Sequence, residues 1–280
     1  MGAVGVREIL ARHGLAPSRE RGQNFLVDGR VAEELVDLAG VAPGDSVIEV
    51  GTGLGILTRA LAQRARHVLT IEVDAGLVRA LRAESLLPAN AELRHADALA
   101  VDWPALVRER GATRVVANLP YAISAPLLRA LLDLRGVLRD WSVMIQRDVA
   151  DRLLAQPGSR NYSSLTVLHR LCATLRRARD LAPGLFFPVP NVRSSFVRVT
   201  PRADAPDGAE ELARIETVVR AAFGQRRKTL ANALRGAGWA DPAPACAAAG
   251  IDPRARAESL APEAFSALAR ALGAREVQRP

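Results

Sequence analysis

Ser46-Val47-Ile48-Glu49-Val50-Gly51-Thr52-Gly53-Leu54-Gly55-Ile56-Leu57-Thr58-Arg59-Ala60-Leu61 reads as a strand, a glycine-rich turn and a helix in one run. Glycines let the backbone approach a ligand where a Cβ would collide, and such a turn opening a helix is a nucleotide cradle. The spacing narrows the ligand. A dinucleotide fingerprint needs glycines at 51, 53 and 56, whereas position 56 is isoleucine. The G-x-G-x-G loop suits a ligand without a diphosphate.

Outward from this unit the pattern repeats. Val31, Leu35, Val36 and Leu38 mark an amphipathic helix between Gly29 and Gly40. His67 to Glu72 is a second strand ending in an acid, and Glu72 lies about 20 residues beyond the loop, where a ribose-binding carboxylate belongs. The alternative is a solvated strand-end charge. Ala91 to His95 forms a third strand, with Asp97 at its end as either an acceptor for an adenine amino group or a helix cap. A further strand is Ser142 to Ile145, and Ser124 with Pro126 starts a helix. Alternating β and α elements predict a parallel, doubly wound sheet.

The fourth strand carries the chemistry. In Arg114-Val115-Val116-Ala117-Asn118-Leu119-Pro120-Tyr121, Pro120 must end the strand, because proline has no N–H for the ladder. An amide, two carbonyls and a ring then sit at the carboxyl edge, where open α/β sheets bind ligands. An exocyclic amine on a nucleobase is a poor nucleophile, since its lone pair is delocalised into the ring. The Asn118 side-chain oxygen and the carbonyl of Leu119 or Pro120 can accept both of its N–H bonds and free that lone pair. Tyr121 can stack on a flipped base. A strand-ending turn with a core tyrosine is the competing reading.

Residues 1–28 predict an N-terminal arm that lays Phe25 and Leu26 against the domain, with Asn24 either a turn residue or a lid contact. Ala173 to Val199 reads as a β-rich end containing Phe186-Phe187-Pro188-Val189-Pro190, a stiff loop able to present a ring. Thr200 to Gly208 reads as a linker, and the chain is helical by pattern from Glu210. The predicted domains are 1–28, 29–203 and 204–280. Arg226, Arg227 and Lys228 form a basic triplet that holds the single lysine, either a solvated helix face or a phosphate contact. A net charge of +8 favours a polyanionic partner and salt-sensitive binding. No apolar run approaches the roughly 20 residues of a membrane span. Cys172 and Cys246 show no metal spacing and the four histidines are scattered, so no metal and a cytoplasmic setting are expected.

Taken together, these motifs resemble the bacterial 16S rRNA adenine dimethyltransferases, which use S-adenosylmethionine. The resemblance runs through GQNFLVD at 22–28, IEVGTGLG at 48–55, IEVD at 71–74, Asp97, NLPY at 118–121, FFPVPNVRSS at 186–195, FGQRRKTLANAL at 223–234 and GIDPRARAESLAPEAFSALARAL at 250–272. It implies a class I methyltransferase domain, Rossmann-like with a mostly parallel sheet flanked by helices, and a small all-helical C-terminal domain. By position, Asn24, Leu26, Gly51, Gly53, Glu72, Asp97 and Asn118 match the cofactor site. Asn118, Leu119, Pro120 and Tyr121 match the target-amine clamp, and Phe186 an aromatic that helps hold the adenine. The implied substrate is two adjacent adenosines in a hairpin near the 3′ end of 16S rRNA, in the 30S subunit or its precursor, each dimethylated at N6 by in-line attack, leaving S-adenosylhomocysteine. A monomer is expected. Thr52 stands where many relatives have proline, and Ala233 where many have serine.

Two other functions share parts of this pattern. A 23S rRNA adenine dimethyltransferase of the antibiotic-resistance type has the cofactor motifs, but the segments at 223–234 and 250–272 favour the 16S branch. A non-catalytic 30S assembly factor is disfavoured by the intact NLPY and glycine motifs. A DNA adenine methylase is disfavoured too, since nothing resembles a DNA-reading module.

Overall fold

Short β-branched runs alternate with amphipathic helices to build the first of two units, residues 1–150 with 176–201. The computed structural model of the chain describes residues 2–18, 20–225 and 227–273. In order come α1 (Ala3–Arg12), β1 (Phe25–Leu26), α2 (Gly29–Ala39), β2 (Ser46–Val50), α3 (Ile56–Arg64), β3 (His67–Glu72) and α4 (Ala75–Ala83). They continue with β4 (Ala91–His95), α5 (Trp103–Arg110), β5 (Arg114–Asn118), α6 (Ser124–Leu132), β6 (Asp140–Gln146) and α7 (Arg147–Leu153). After α8 (Ser164–Cys172) come β7 (Ala173–Leu181), β8 (Phe186–Phe187) and β9 (Ser194–Pro201).

Seven strands form one sheet in the order β4-β3-β2-β5-β6-β9-β7. The pairs β3–β4, β2–β3, β2–β5 and β5–β6 are parallel, and β9 joins β6 antiparallel. The chain builds outward from β2 through β3 to β4, then returns to the other side of β2 with β5. Such a reversal leaves a crevice at the carboxyl ends of the two central strands. β2 is buried along its whole length, as a strand covered on both faces must be. Helix α2 begins at Asp28, whose carboxylate accepts from the amides of Arg30 and Val31, and ends at Gly40 in the left-handed region. Its buried face is Val31, Ala32, Leu35, Val36 and Ala39.

Strands β2, β3 and β4 fall on the residues that the sequence pattern predicts. The arm, however, contains a helix that its polar composition hid: α1 buries Val6, Ile9 and Leu10, a single stripe at helical spacing. Phe25 and Leu26 are buried as expected, and they pair antiparallel with Phe187 and Phe186.

At the amino ends of the central strands a buried ion network sets their register. Arg114 Nε lies 2.8 Å from Asp45 Oδ2, and Arg114 Nη1 lies 2.5 Å from Asp140 Oδ2. Arg198 Nη2 reaches the same Asp140 oxygen at 2.5 Å. Arg114 and Asp140 are directly paired across β5 and β6.

The second unit comprises residues 151–175 and 202–280. Its elements are α8, α9 (Gly208–Gly224), α10 (Leu230–Gly236), α11 (Ala243–Ala248) and α12 (Pro262–Leu272). A single cut between 203 and 204 differs from this division, because α8 packs on α9 and α12. Phe223 bridges Tyr162 and Phe265, with ring centroids 5.9 and 5.8 Å apart, and the Tyr162 hydroxyl donates to the Leu260 carbonyl at 2.8 Å. Among the described residues, no helix is long and apolar enough to cross a membrane.

Breaking a buried ion pair strands its partner charge and costs about 3–5 kcal/mol. Asp140→Ala is therefore expected to lose stability of that order in urea unfolding. A loss below about 1 kcal/mol would show that Asp45 alone satisfies Arg114.

Candidate active site

Along the carboxyl ends of β2, β3, β4 and β5 lies a cavity of about 330 Å³, near the lower end of the roughly 300–1,000 Å³ range of small-molecule sites. The glycine turn forms its floor for a steric reason. Gly51 has φ +82°, and a Cβ there would lie 3.2 Å from the Asn118 carbonyl oxygen and 3.4 Å from Pro120 Cδ. Gly53, at φ +57°, would put a Cβ 3.0 Å from the Phe25 ring. The two glycines are needed because β5 and the arm close on the turn from two sides.

Glu72 ends β3 and is only 5% exposed, so it is not a solvated charge. Its Oε2 accepts the Gly53 amide at 3.0 Å and its Oε1 accepts the Asp74 amide at 2.9 Å. Burial pushes its carboxyl above the ordinary range, against the pull of those amides. Each oxygen retains a further lone pair for a ligand hydroxyl. Asp97 lines the same cavity and is exposed. It closes a turn by accepting the Leu99 amide at 2.8 Å rather than capping a helix; Asp102 caps α5. Thr52 spends its hydroxyl on Thr70 at 2.7 Å, a bond that proline at this position would lack.

Glu49 was not singled out by sequence pattern. It is fully buried in β2, yet lines the cavity. Thr58 Oγ1 donates to its Oε2 at 2.6 Å, while Oε1 finds no hydrogen-bond partner among the described residues. Burial raises its carboxyl to about 8, which favours the neutral form.

Asn118 stands at the last position of β5, half-buried. Its Nδ2 donates to the Asn24 carbonyl at 3.0 Å, which leaves Oδ1 on the side of the amide away from Asn24. The Pro120 carbonyl is already taken by Ser124 Oγ at 3.0 Å and the Ile123 amide at 3.2 Å. Of the two carbonyls that the sequence offered, Leu119 is thus the one better able to accept another donor. The Tyr121 hydroxyl shares a hydrogen bond of 3.0 Å with Ser194 Oγ, fixing the ring from β9, and burial raises that hydroxyl's pKa.

The cavity brings together Asn24, Leu26, Gly51, Gly53, Glu72, Asp97 and residues 118–121. It does not include Phe186, which is 2% exposed in the apolar core beside Leu26. The partly exposed member of the aromatic pair is Phe187, with the Arg7 guanidinium 4.8 Å from its ring centroid. Arg227 and Lys228 are exposed in the turn after α9, in the second unit, whereas Arg226 lies outside the described residues. Sequence reading also missed Gln23 and Asp74, whose side chains meet at 3.1 Å. The cue for Asp74 was an acid directly before a helical run; nothing marked Gln23 as its partner. Among the described residues, no three His, Cys, Asp or Glu side chains converge as a metal site requires.

A mostly parallel seven-stranded sheet with an antiparallel β9, cradling a small-ligand cavity at its switch point, defines the class I methyltransferase fold. Within that class, the family model for ribosomal RNA adenine dimethylases matches residues 17–273, and the chain belongs to that family. It is 42% identical over 265 residues to ribosomal RNA small subunit methyltransferase A of Magnetococcus marinus, covering 94% of this chain and 95% of the relative. It is 41% identical over 286 residues to the protein of the same name from Streptomyces avermitilis, covering 98% and 94%. Among solved structures, the 23S rRNA methyltransferase ErmE superposes with a TM-score of 0.64 at 26% identity, covering 89% of this chain and 99% of that one. A dimethyladenosine transferase from Plasmodium falciparum superposes with a TM-score of 0.72 at 24% identity, covering 87% and 95%, and supports the fold.

Glu49 makes stability depend on pH. Its folded-state value of about 8 exceeds the ordinary 4.5, so the folded protein holds a proton that the unfolded chain has released. The stability it contributes is present below 4.5 and is lost as pH rises through about 8. Glu49→Gln cannot ionise. Its melting temperature relative to wild type should therefore climb by roughly 2 °C or more between about pH 5 and pH 8.5. A constant difference would mean that the buried carboxyl is already charged.

Proposed function

We propose that this enzyme transfers methyl groups to N6 of two adjacent adenosines in a hairpin near the 3′ end of 16S rRNA, within the 30S particle or its precursor. The carrying observation is the Asn118 amide, oriented by the Asn24 carbonyl with its acceptor end left over. The names of the two relatives support the small-subunit target.

The cavity fits S-adenosylmethionine as methyl donor. Gly51 and Gly53, lacking a Cβ, let β5 and the arm close around a small ligand, and Glu49, Glu72 and Asp97 line the space with carboxyl groups. Glu72 would take the ribose hydroxyls, Asp97 the adenine amino group, and Asn24, Leu26, Gly51 and Gly53 would enclose the remainder. When bound, the donor supplies an electrophilic methyl group on a sulfonium.

The chain's own work is to hold the target amine. Asn118 Oδ1 and the Leu119 carbonyl accept its two N–H bonds, drawing the nitrogen lone pair out of conjugation and aiming it. Pro120 sets the turn, and the Tyr121 ring, fixed by Ser194, stacks on the flipped base. Phe186 acts from the core, by seating Leu26 and the arm. Catalysis then rests on positioning rather than on a strong base, since the amine proton becomes acidic only after transfer. Arg227 and Lys228 contact RNA phosphates. The protein acts as a cytoplasmic monomer and releases S-adenosylhomocysteine.

Likeness to ErmE keeps a second reading in view, methylation of 23S rRNA. Labelled methyl transfer to 30S and 50S particles lacking native methylation separates the two. Label on two adjacent 16S adenines is expected. Label confined to 23S rRNA, or none on either particle, would overturn the proposal.

A further inference from the structure

The arm is fastened along α4 before it crosses the cavity. At the carboxyl end of α4, Glu84 accepts Arg12 Nε at 3.0 Å and Nη2 at 2.9 Å, and meets His13 Nε2 at 3.0 Å. At the amino end, Leu15 packs so closely on Gly76 that a Cβ there would lie 2.5 Å from Leu15 Cδ2. Asp74, which caps α4, receives both the Arg21 guanidinium and Gln23 Nε2. Gln23 is held from its other end as well: its Oε1 accepts the Ser18 amide at 2.8 Å.

One residue later the arm is on the opposite wall. The Asn24 carbonyl meets Asn118 at the end of β5. Gly22 lies so near the next turn that a Cβ would stand 2.9 Å from the Tyr121 amide nitrogen. Asp74 follows β3, Asn118 ends β5, and β2 lies between them in the sheet. Residues 21–24 therefore bridge the two strands that flank the glycine turn, and all four line the cavity.

We infer that this bridge is a strap whose latch, Gln23 on Asp74, is a positioning device for Asn118. The inference rests on the reading of Asn118 as the acceptor of the target amine. An asparagine amide turns about its last torsion between two broad, nearly equivalent wells. In one, Oδ1 faces the target; in the other, an NH2 group faces an NH2 group and neither can accept. The Asn24 carbonyl accepts only a donor, so it selects the productive well, and the latch keeps that carbonyl in place.

The test is a double-mutant cycle with Gln23→Ala and Asn118→Ala, reading turnover at saturating RNA and S-adenosylmethionine, with S-adenosylhomocysteine affinity and melting temperature as checks on folding. Gln23→Ala removes two hydrogen bonds, to Asp74 and from Ser18; losing even one, worth about 0.5–1.5 kcal/mol net, corresponds to a roughly 2- to 13-fold fall in turnover. In the Asn118→Ala background, the same change should cost less than about twofold, because nothing remains to be oriented. An equal loss in both backgrounds, or unchanged turnover in Gln23→Ala, would overturn the inference and leave the amine-clamp reading standing. Full turnover in Asn118→Ala alone would overturn the clamp reading, and the strap's positioning role with it.

Discussion

The structure turns on one close approach, where the chain leaving β2 passes the end of β5. Gly51 sits 3.2 Å, measured from the Cβ it lacks, from the Asn118 carbonyl, with Pro120 beside it. Two parallel central strands diverge at this point, so the turn after β2 and the turn after β5 share one small space. A side chain at position 51 would push them apart, and with them the acceptor groups that end β5. The cavity, the placement of Glu72 opposite the glycine turn, and the reach of the arm to Asn118 all follow from that separation being small.

The same strands are treated differently at their two ends. At the amino ends, Arg114 pairs with Asp45 and Asp140, and Arg198 joins it on Asp140. At the carboxyl ends, polar groups are left incompletely used: Glu49 Oε1 has no partner among the described residues, and Asn118 spends one end of its amide and keeps the other. Buried polar groups are ordinarily paired, and one left over in a cavity wall is open to a ligand. Stability is placed at one edge of the sheet and chemistry at the other.

Most of the first unit was legible because its signals are local. The run from Ser46 to Leu61 announces a strand, turn and helix, and Pro120 fixes where β5 must stop. The strand-end positions of Glu72, Asp97 and Asn118 followed from the alternating pattern, and the family resemblance assigned them to the site. What stayed hidden depends on tertiary context. α1 lies in a segment whose polar residues outnumber its buried stripe. Phe186 and Phe187 look equivalent in sequence, yet strand alternation sends Phe186 into the core. The choice between the Leu119 and Pro120 carbonyls needed the hydrogen bonds from Ser124 and Ile123, and residues 151–175 join the second unit through packing that no local pattern encodes.

The chemistry depends on two acceptors at the end of β5 receiving the amine of a flipped adenine. The most direct measurement is a crystal structure with S-adenosylhomocysteine and a 16S hairpin carrying the target adenosines. The N6 nitrogen is expected about 3 Å from both Asn118 Oδ1 and the Leu119 carbonyl oxygen, with Asn118 Nδ2 still on the Asn24 carbonyl. An amine bound at the Pro120 carbonyl instead, or an adenine lying outside the cavity, would contradict it.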